Sequence, residues 1–465
     1  MQRTYIGELN KKVGEEVKIA GWVDIRRDHG KLIFIDLRDM SGKVQMVALP
    51  NHKEAHELAN TVRPEWVVEV TGKINARPER MINKDEANGT VEIEMLSLVV
   101  LNEAITPAID VRGDGMEIGE DVRLEHRYLD LRRPRLQKNI RNRSKVMTLV
   151  RALLEKEGFC EIETPNLTNA TAEGSRDFIV PSRIEPGSFY ALPQSPQQYK
   201  QLLMAAGFEK YFQFARCFRD EDSRGDRQPE FTQMDLEMSF ATEEDVMSVN
   251  EKVIIEVVQK LYPQKRIQEI PFPKITYKEA MEKYGTDKPD LRKDKNDKDL
   301  LAFAWIVDFP MFEKGDDGKW TFTHNPFSTT KLESMDDLMN KKNIEHIMAA
   351  QYDIALNGNE MGGGSIRNHK PEALRKVLEI MDFNEEKIQS QYGHMLKAFE
   401  TGVPPHGGIA WGLDRMIMIL ENEPNIREVI AFAKNGEGKD LMIGAPGKVS
   451  AEQLRDLGIE LKKKK

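Results

Sequence analysis

The first hundred residues alternate apolar and polar positions in short runs, VKIAGWVDI, LIFIDLRD, VQMVAL, WVVEVTGKI and VEIEMLSLVVL, broken by Gly, Asp and Asn. A period of two, carried by β-branched and aromatic residues, predicts half-buried strands with turns between them. Five such strands within residues 1–104 predict a small closed barrel of the OB type, a fold that grips single-stranded nucleic acid by aromatic stacking and basic contacts. Residues 105–135 open on ITPAIDVRGDGMEIGEDV, rich in Pro, Gly and Asp, and read as a hinge. From residue 136 the period lengthens to a helical one in NIRNRSKVMTLVRALLEKEG, and the strands and helices that follow do not alternate regularly. That pattern predicts an α+β domain over 136–465, an antiparallel sheet flanked by helices rather than a doubly wound fold. No GxxxxGK[ST] segment and no GxGxxG opening a helix occurs, so a nucleotide site here is neither a P-loop nor a Rossmann site.

The chain has 465 residues, enough for two or three domains, and its 40% hydrophobic and 31% charged content is that of a soluble globular enzyme. A net charge of -9 argues against a generic nucleic-acid coat, so RNA binding requires local basic patches. One such patch, residues 123–145, sets nine Lys and Arg against Glu125 and Asp130; on composition it reads as a solvated helix face. Cys160 and Cys217 have no metal-ligand spacing and read as small core residues in a reducing cytosol. No long apolar run is present and MQRTYIGELNKK has no apolar core, so neither secretion nor membrane insertion is expected and the location is cytoplasmic.

The densest chemistry lies in RCFRDEDSRGDRQPEFTQMDLEMSF, residues 216–240, where arginines and carboxylates surround a Pro and an aromatic before an apolar run resumes. An arginine fork holds a phosphate bidentately, and nearby carboxylates hold a magnesium ion or an ammonium group, so one hairpin suits both ends of an ATP-dependent condensation. Far downstream, the glycine-rich HGGIAWGLDR (406–415) ends on a second basic anchor, Arg415.

These segments, with GWVDIRRDHGKLIFIDLRD, GFCEIETPNLTNATAEGSRDF, LPQSPQQYKQLLM and NGNEMGGGSIR, resemble the class II aminoacyl-tRNA synthetases and, within them, the bacterial-type aspartyl-tRNA synthetases. The resemblance covers nearly the whole chain. It implies an aspartate–tRNA ligase with ATP as substrate and Mg2+ as cofactor, acting on L-aspartate and tRNA(Asp). Members of the family usually carry an inserted domain after a segment like YGTDKPDLR (284–292). Here only KDKNDKDLLAFA precedes WIVDFPMFE, which reads as loss of that domain near 293–304, with 293–299 as a solvated linker. Archaeal and eukaryotic relatives also lack it. A homodimer with its interface around Pro165 is also implied.

Residue by residue, the resemblance makes Arg219 the bridge between the α-phosphate and the substrate carboxylate, and Arg415 the partner of the γ-phosphate. Asp220, Glu221, Gln228, Phe231, Glu360, Gly412, Leu413 and Asp414 complete its ATP site, with Phe231 stacked on the base. Asp353 and Glu360 match the magnesium-binding acids. Lys200 and Arg367 match the readers of the aspartate side chain; Gln197, Gln233 and Asp235 match the amino-end contacts. Glu173 sits in the loop that closes on the substrate. His324 aligns with the first of a histidine pair whose second member is Asn325 here, and Ala433 stands where relatives usually have Pro, a change with no evident chemistry. In the barrel, Arg27, Phe34 and Gln45 match positions that grip the anticodon; Phe34 alone reads equally as barrel core.

Family members that aspartylate both tRNA(Asp) and tRNA(Asn) tend to carry His at the position of His29, and strict ones Leu. Arg80 points the other way, since relaxed members often have Gly there. His29 carries more weight because it lies in the barrel loop beside Arg27, whereas a basic residue at 80 suits backbone phosphate. Three other readings stand beside this one. An asparaginyl-tRNA synthetase is disfavoured by Lys200, an inactive RNA-binding paralogue by the intact acids and arginines, and an amide-forming enzyme without tRNA by the barrel.

Overall fold

The computed structural model describes residues 2–170, 173–315 and 317–462. Thr171 and Ala172 of the TAEGSRDF motif lie outside the described residues. The chain forms two compact units, residues 1–110 and 111–465.

In the first unit five strands close into a barrel: β1 (Glu16–Asp28), β2 (Ile33–Asp39), β3 (Gly42–Ala48), β4 (Val67–Ala76) and β5 (Val91–Asn102), in the order β1-β2-β3-β5-β4. β1 pairs antiparallel with both β2 and β4, and the parallel contact of β3 with β5 completes the ring. Alternation decides what fills it: Ile33, Ile35 and Leu37 of β2 and Val44 and Met46 of β3 point inward and are buried. Phe34, half-buried and outside that core, is on the outer face.

The second unit is built on an eight-stranded sheet. Its strands are β6 (Cys160–Glu161), β7 (Lys210–Phe218), β8 (Glu230–Ser239), β9 (Lys274–Thr276), β10 (Phe303–Val307), β11 (Gln351–Leu356), β12 (Asn359–Ile366) and β13 (His406–Gly412), in the order β9-β10-β11-β12-β13-β8-β7-β6. The interior is antiparallel, as expected; only the edge pairs β9 with β10 and β6 with β7 are parallel. Each strand presents alternate residues to opposite faces. Met234, Leu236, Ile354, Met361, Ile409 and Trp411 face one side, where they pack against the helices Pro134–Lys156, Glu243–Leu261 and Leu413–Leu420. Gln233, Asp235, Glu237, Gln351, Asp353, Gly408 and Gly412 therefore face the other. Period two puts the core on one side of the sheet and the polar site on the other.

The stretch read as a hinge is of two kinds. Residues 105–118 carry no helix or strand, but Glu120–Glu125 and Arg127–Asp130 are helical. The basic run that begins there is a solvated face only in its later part, where Lys138, Arg141 and Lys145 are exposed; its first part is not. Arg123, Arg127 and Arg133 are buried around Asp130, with Arg133 Nε donating to Asp130 Oδ1 at 2.7 Å and Arg127 Nη1 to Oδ2 at 2.9 Å. Arg123 and Arg135 converge on Glu428, at 2.7 and 2.8 Å. Opposed by two basic partners, burial fails to raise the Glu428 carboxyl, which is held down at about 2. Apart from Asp130, the acids that balance these arginines, Glu428 and Glu423, lie some three hundred positions away, beyond the reach of local composition. Cys160, expected in the core, is exposed on the edge strand β6, whereas Cys217 is buried and its thiol is pushed up to about 12 by burial. The linker 293–299 is largely exposed, as expected.

Candidate active site

On the polar face of the sheet, β8, β11, β12, β13 and the helix Gln197–Ala205 surround an open cleft of about 270 Å³. Its floor is a buried ionic quartet. Lys200 Nζ donates to Asp235 Oδ1 at 2.6 Å and lies 3.2 Å from Glu237 Oε2; Arg367 Nε and Nη2 donate to Glu237 Oε1 and Oε2 at 2.9 and 3.2 Å. All four side chains are at most 2% exposed. Burial raises the Asp235 carboxyl, with Lys200 opposing. At Glu237 burial is outweighed by Arg367 and Lys200, and the carboxyl is lowered. Arg367 Nη1 spends one N–H on Ser365 Oγ at 2.8 Å and keeps another, so the quartet holds its cations in place and leaves a donor for a carboxylate.

Glu237 escaped the sequence reading although it carries half the quartet's negative charge. Its signal was present: Asp235 and Glu237, two apart in one strand, share a face, and two buried acids on one face require cations. The close approach of β13 makes room for it, because a Cβ on Gly408 would lie 2.0 Å from Glu237 Oε2. Behind the quartet, Gln201 Nε2 is 3.0 Å from His406 Nε2, and His406 Nδ1 donates to Pro404 O at 2.8 Å; burial lowers this imidazole, which is therefore neutral.

The nucleotide-side residues meet in the same cleft. Arg219 has its guanidinium 5.2 Å from the centre of the Phe231 ring and donates to Gln194 O at 3.4 Å; among the described residues it has no carboxylate partner. Arg415 is tied to Glu360 O and, at 3.0 Å, to Asp226 Oδ2. Glu221 accepts from Ser175 Oγ and, at 3.1 Å, from Arg227 Nη1, while Gln228 Oε1 accepts from the Lys434 backbone at 2.9 Å. Gln197, Gln233, Glu173, His324, Glu360 and Gly412 also line the cleft. Asp220 and Leu413 do not, and Asp414 lines it with both carboxylate oxygens already engaged, one by Arg143 and one by the Thr232 backbone at 2.9 Å. Asn325 accepts from the Phe327 backbone at 3.0 Å, so the amide that replaces the second histidine caps a turn. Ala433 is buried beside Lys434.

Asp353 lies just beneath the lining, 3.3 Å from His324 Nε2 and from Gln351 Nε2. Burial raises its carboxyl to about 7, His324 opposing and the charge of Glu360 adding to the rise. A Cβ on Gly363 would come within 2.6 Å of Asp353 Oδ1, so that residue keeps the carboxylate approachable. Among the described residues no three His, Cys, Asp or Glu cluster as metal ligands. Two crowded carboxylates offering only oxygen suit a hard divalent cation that keeps most of its ligands from water and phosphate.

In the barrel, Arg27 is clamped by Asp36 through bonds of 2.9 and 2.8 Å and donates to Gln45 Oε1 at 3.1 Å, while Gln45 Nε2 reaches Glu92 at 3.2 Å. The exposed His29 stands edge-on to Phe34, ring centres 5.5 Å apart. Arg80 is exposed and forms no ion pair among the described residues.

Residues 119–436 match the class II tRNA synthetases (D, K and N), and residues 17–101 match the OB-fold nucleic acid binding domain. The chain belongs to the class II aminoacyl-tRNA synthetases. It is 39% identical to the aspartate–tRNA ligase of Limosilactobacillus reuteri over 593 aligned positions that take in 100% of this chain and 98% of that one. It is 38% identical to the aspartate–tRNA(Asp/Asn) ligase of Natranaerobius thermophilus, with 100% of each chain covered. The first alignment runs to 593 positions against 465 residues here, so the relative has stretches that this chain lacks. In fold the chain is similar to the asparaginyl-tRNA synthetase from Pyrococcus horikoshii complexed with asparaginyl-adenylate, with a TM-score of 0.75, 22% identity, and 93% of this chain and 98% of that one covered. Among the described residues no helix is long and apolar enough to cross a membrane.

Proposed function

We propose that this protein is an aspartate–tRNA ligase that charges tRNA(Asp) and, in the relaxed manner, tRNA(Asn). The observation that carries the amino-acid assignment is the quartet of Lys200, Asp235, Glu237 and Arg367, two buried cations held by two buried acids at the base of the cleft. A side-chain carboxylate meets fixed cationic donors there; an amide would meet them with a donor of its own, which disfavours asparagine. Asp235, with Gln197 and Gln233, receives the ammonium group.

In the first step an aspartate carboxylate oxygen bonds to the α-phosphorus of ATP and pyrophosphate leaves. In the second, a hydroxyl of the tRNA 3'-terminal ribose attacks the acyl carbon and AMP leaves. Arg219, without a carboxylate partner among the described residues, is the group available to the α-phosphate, and Phe231 is the aromatic ring on which the base would stack. Arg415 exchanges Asp226 for the γ-phosphate. Glu221 and Gln228 hold the adenine edge. Asp353 and Glu360 would hold magnesium, which when bound neutralises phosphate charge. Arg27, Phe34 and Gln45 take the anticodon. A cytoplasmic homodimer and loss of the inserted domain near 293–304 belong to the same reading, supported by the resemblance. The test is ATP–pyrophosphate exchange: aspartate is expected to support it with magnesium, and equal exchange with asparagine would overturn the assignment.

A further inference from the structure

The short segment Glu173–Asp177 enters the cleft lining at Glu173, and its contacts divide into two sets. On the amino-acid side, Glu173 Oε2 accepts from Ser195 Oγ at 2.6 Å. The fully buried Gln194 grips the next turn: its Oε1 accepts from the Ser175 backbone N–H at 3.1 Å, and its Nε2 donates to Ser175 O at 2.9 Å and Asp177 Oδ1 at 2.7 Å. On the nucleotide side, the Asp220 backbone donates to Arg176 O at 3.0 Å, and Ser175 Oγ donates to Glu221 Oε1. The Arg176–Asp220 ion pair also spans the junction, but its side chains are 76% and 47% exposed and such pairs contribute little. Ser175 thus has its backbone held by Gln194, the neighbour in sequence of the Ser195 that bonds Glu173 and itself an acceptor for Arg219, and its hydroxyl held by Glu221.

We propose that Ser175 is a positioning residue that couples nucleotide binding to closure of the amino-acid site. The inference rests on the ligase reading, in which Glu221 holds adenine and Glu173 closes on aspartate. A carboxylate has about four acceptor positions, so Glu221 keeps the Ser175 hydroxyl while it takes an adenine N–H. Nucleotide fixes Glu221, Glu221 fixes Ser175, and Gln194 prevents Ser175 from moving without Asp177. Aspartate then enters a segment already ordered, and by linkage the enhancement is reciprocal.

The experiment measures aspartate affinity of the full chain by calorimetry, with and without α,β-methylene-ATP, for wild type, Ser175→Ala and Ser175→Thr. In wild type the analogue is expected to tighten aspartate binding on the order of tenfold, within the usual range for coupled sites. Ser175→Ala should bind each ligand alone yet lose most of that enhancement, and Ser175→Thr, which keeps the hydroxyl, should retain it. A purely structural role would weaken aspartate binding equally in both states. Equal enhancement in wild type and Ser175→Ala, or loss of it in Ser175→Thr, overturns the coupling. Failure of wild type to bind aspartate or the nucleotide overturns the ligase reading itself.

Discussion

Gly408 and Glu237 occupy one space. The carboxylate sits where a Cβ on Gly408 would stand, 2.0 Å from Oε2, with the Leu236 carbonyl only 2.1 Å away. The backbone cannot yield there without parting β8 from β13. Gly408→Ala is expected to lower stability by roughly 1–3 kcal/mol through overpacking and to displace Glu237 from Arg367. Urea unfolding and the aspartate KM, measured on the same preparation, read both effects.

Lys200→Met removes the cation that Asp235 and Glu237 share. Two consequences are expected together: a rise in aspartate KM far larger than that in ATP KM, and a loss of about 3–5 kcal/mol in stability from carboxylates left buried. A stability loss with equal rises in both KM values would leave Lys200 a purely structural role.

Arg219→Ala should behave in the opposite way. Among the described residues Arg219 holds no carboxylate, so the melting temperature is expected to stay unchanged while ATP–pyrophosphate exchange falls on the order of a thousandfold. Retained exchange would remove Arg219 from the phosphate site.

Acid should find Glu428. Its carboxyl, at about 2 in the folded chain against an ordinary 4.5, is depressed, so the stability it contributes is complete above pH 4.5 and is lost as pH falls toward 2. The shift corresponds to about 3 kcal/mol. Denaturant titrations of wild type and Glu428→Gln should show a gap between the two that narrows across that window; a gap constant with pH would show the depression to be absent.

Wild type is expected to charge both purified tRNA(Asp) and tRNA(Asn), and His29→Leu to lose tRNA(Asn) preferentially. His29 stands edge-on to Phe34, so its removal alters the surface beside the expected base stack without touching the barrel core. If wild type ignores tRNA(Asn), the relaxed reading is wrong.

The barrel was legible because each strand states its inside and outside locally: LIFIDLRD buries Ile33, Ile35 and Leu37 wherever its partners lie. Arg219, Lys200 and Arg367 were legible through motifs. What local reading missed was pairing across distance. Ser175 carries no signal of its own in the motif, and its partners Gln194 and Glu221 enter from two other segments. Glu237 lies inside a stretch that reads as an apolar run, and the Arg367 and Gly408 that face it come from far along the chain. The arginines of 123–135 looked solvated because Glu428 and Glu423 arrive near the end of the chain.

That last arrangement bears on the order in which the protein is made. Arg123 and Glu428 are 305 positions apart, and at ribosomal speeds of roughly 5–20 residues per second the first guanidinium waits tens of seconds for its acid. Until then the cluster carries more positive charge than Asp130 balances and is held out of the interior by its own hydration. The second unit is therefore expected to close only when its synthesis is nearly complete, and a chain released before Glu428 should be cut by protease far faster than the finished one.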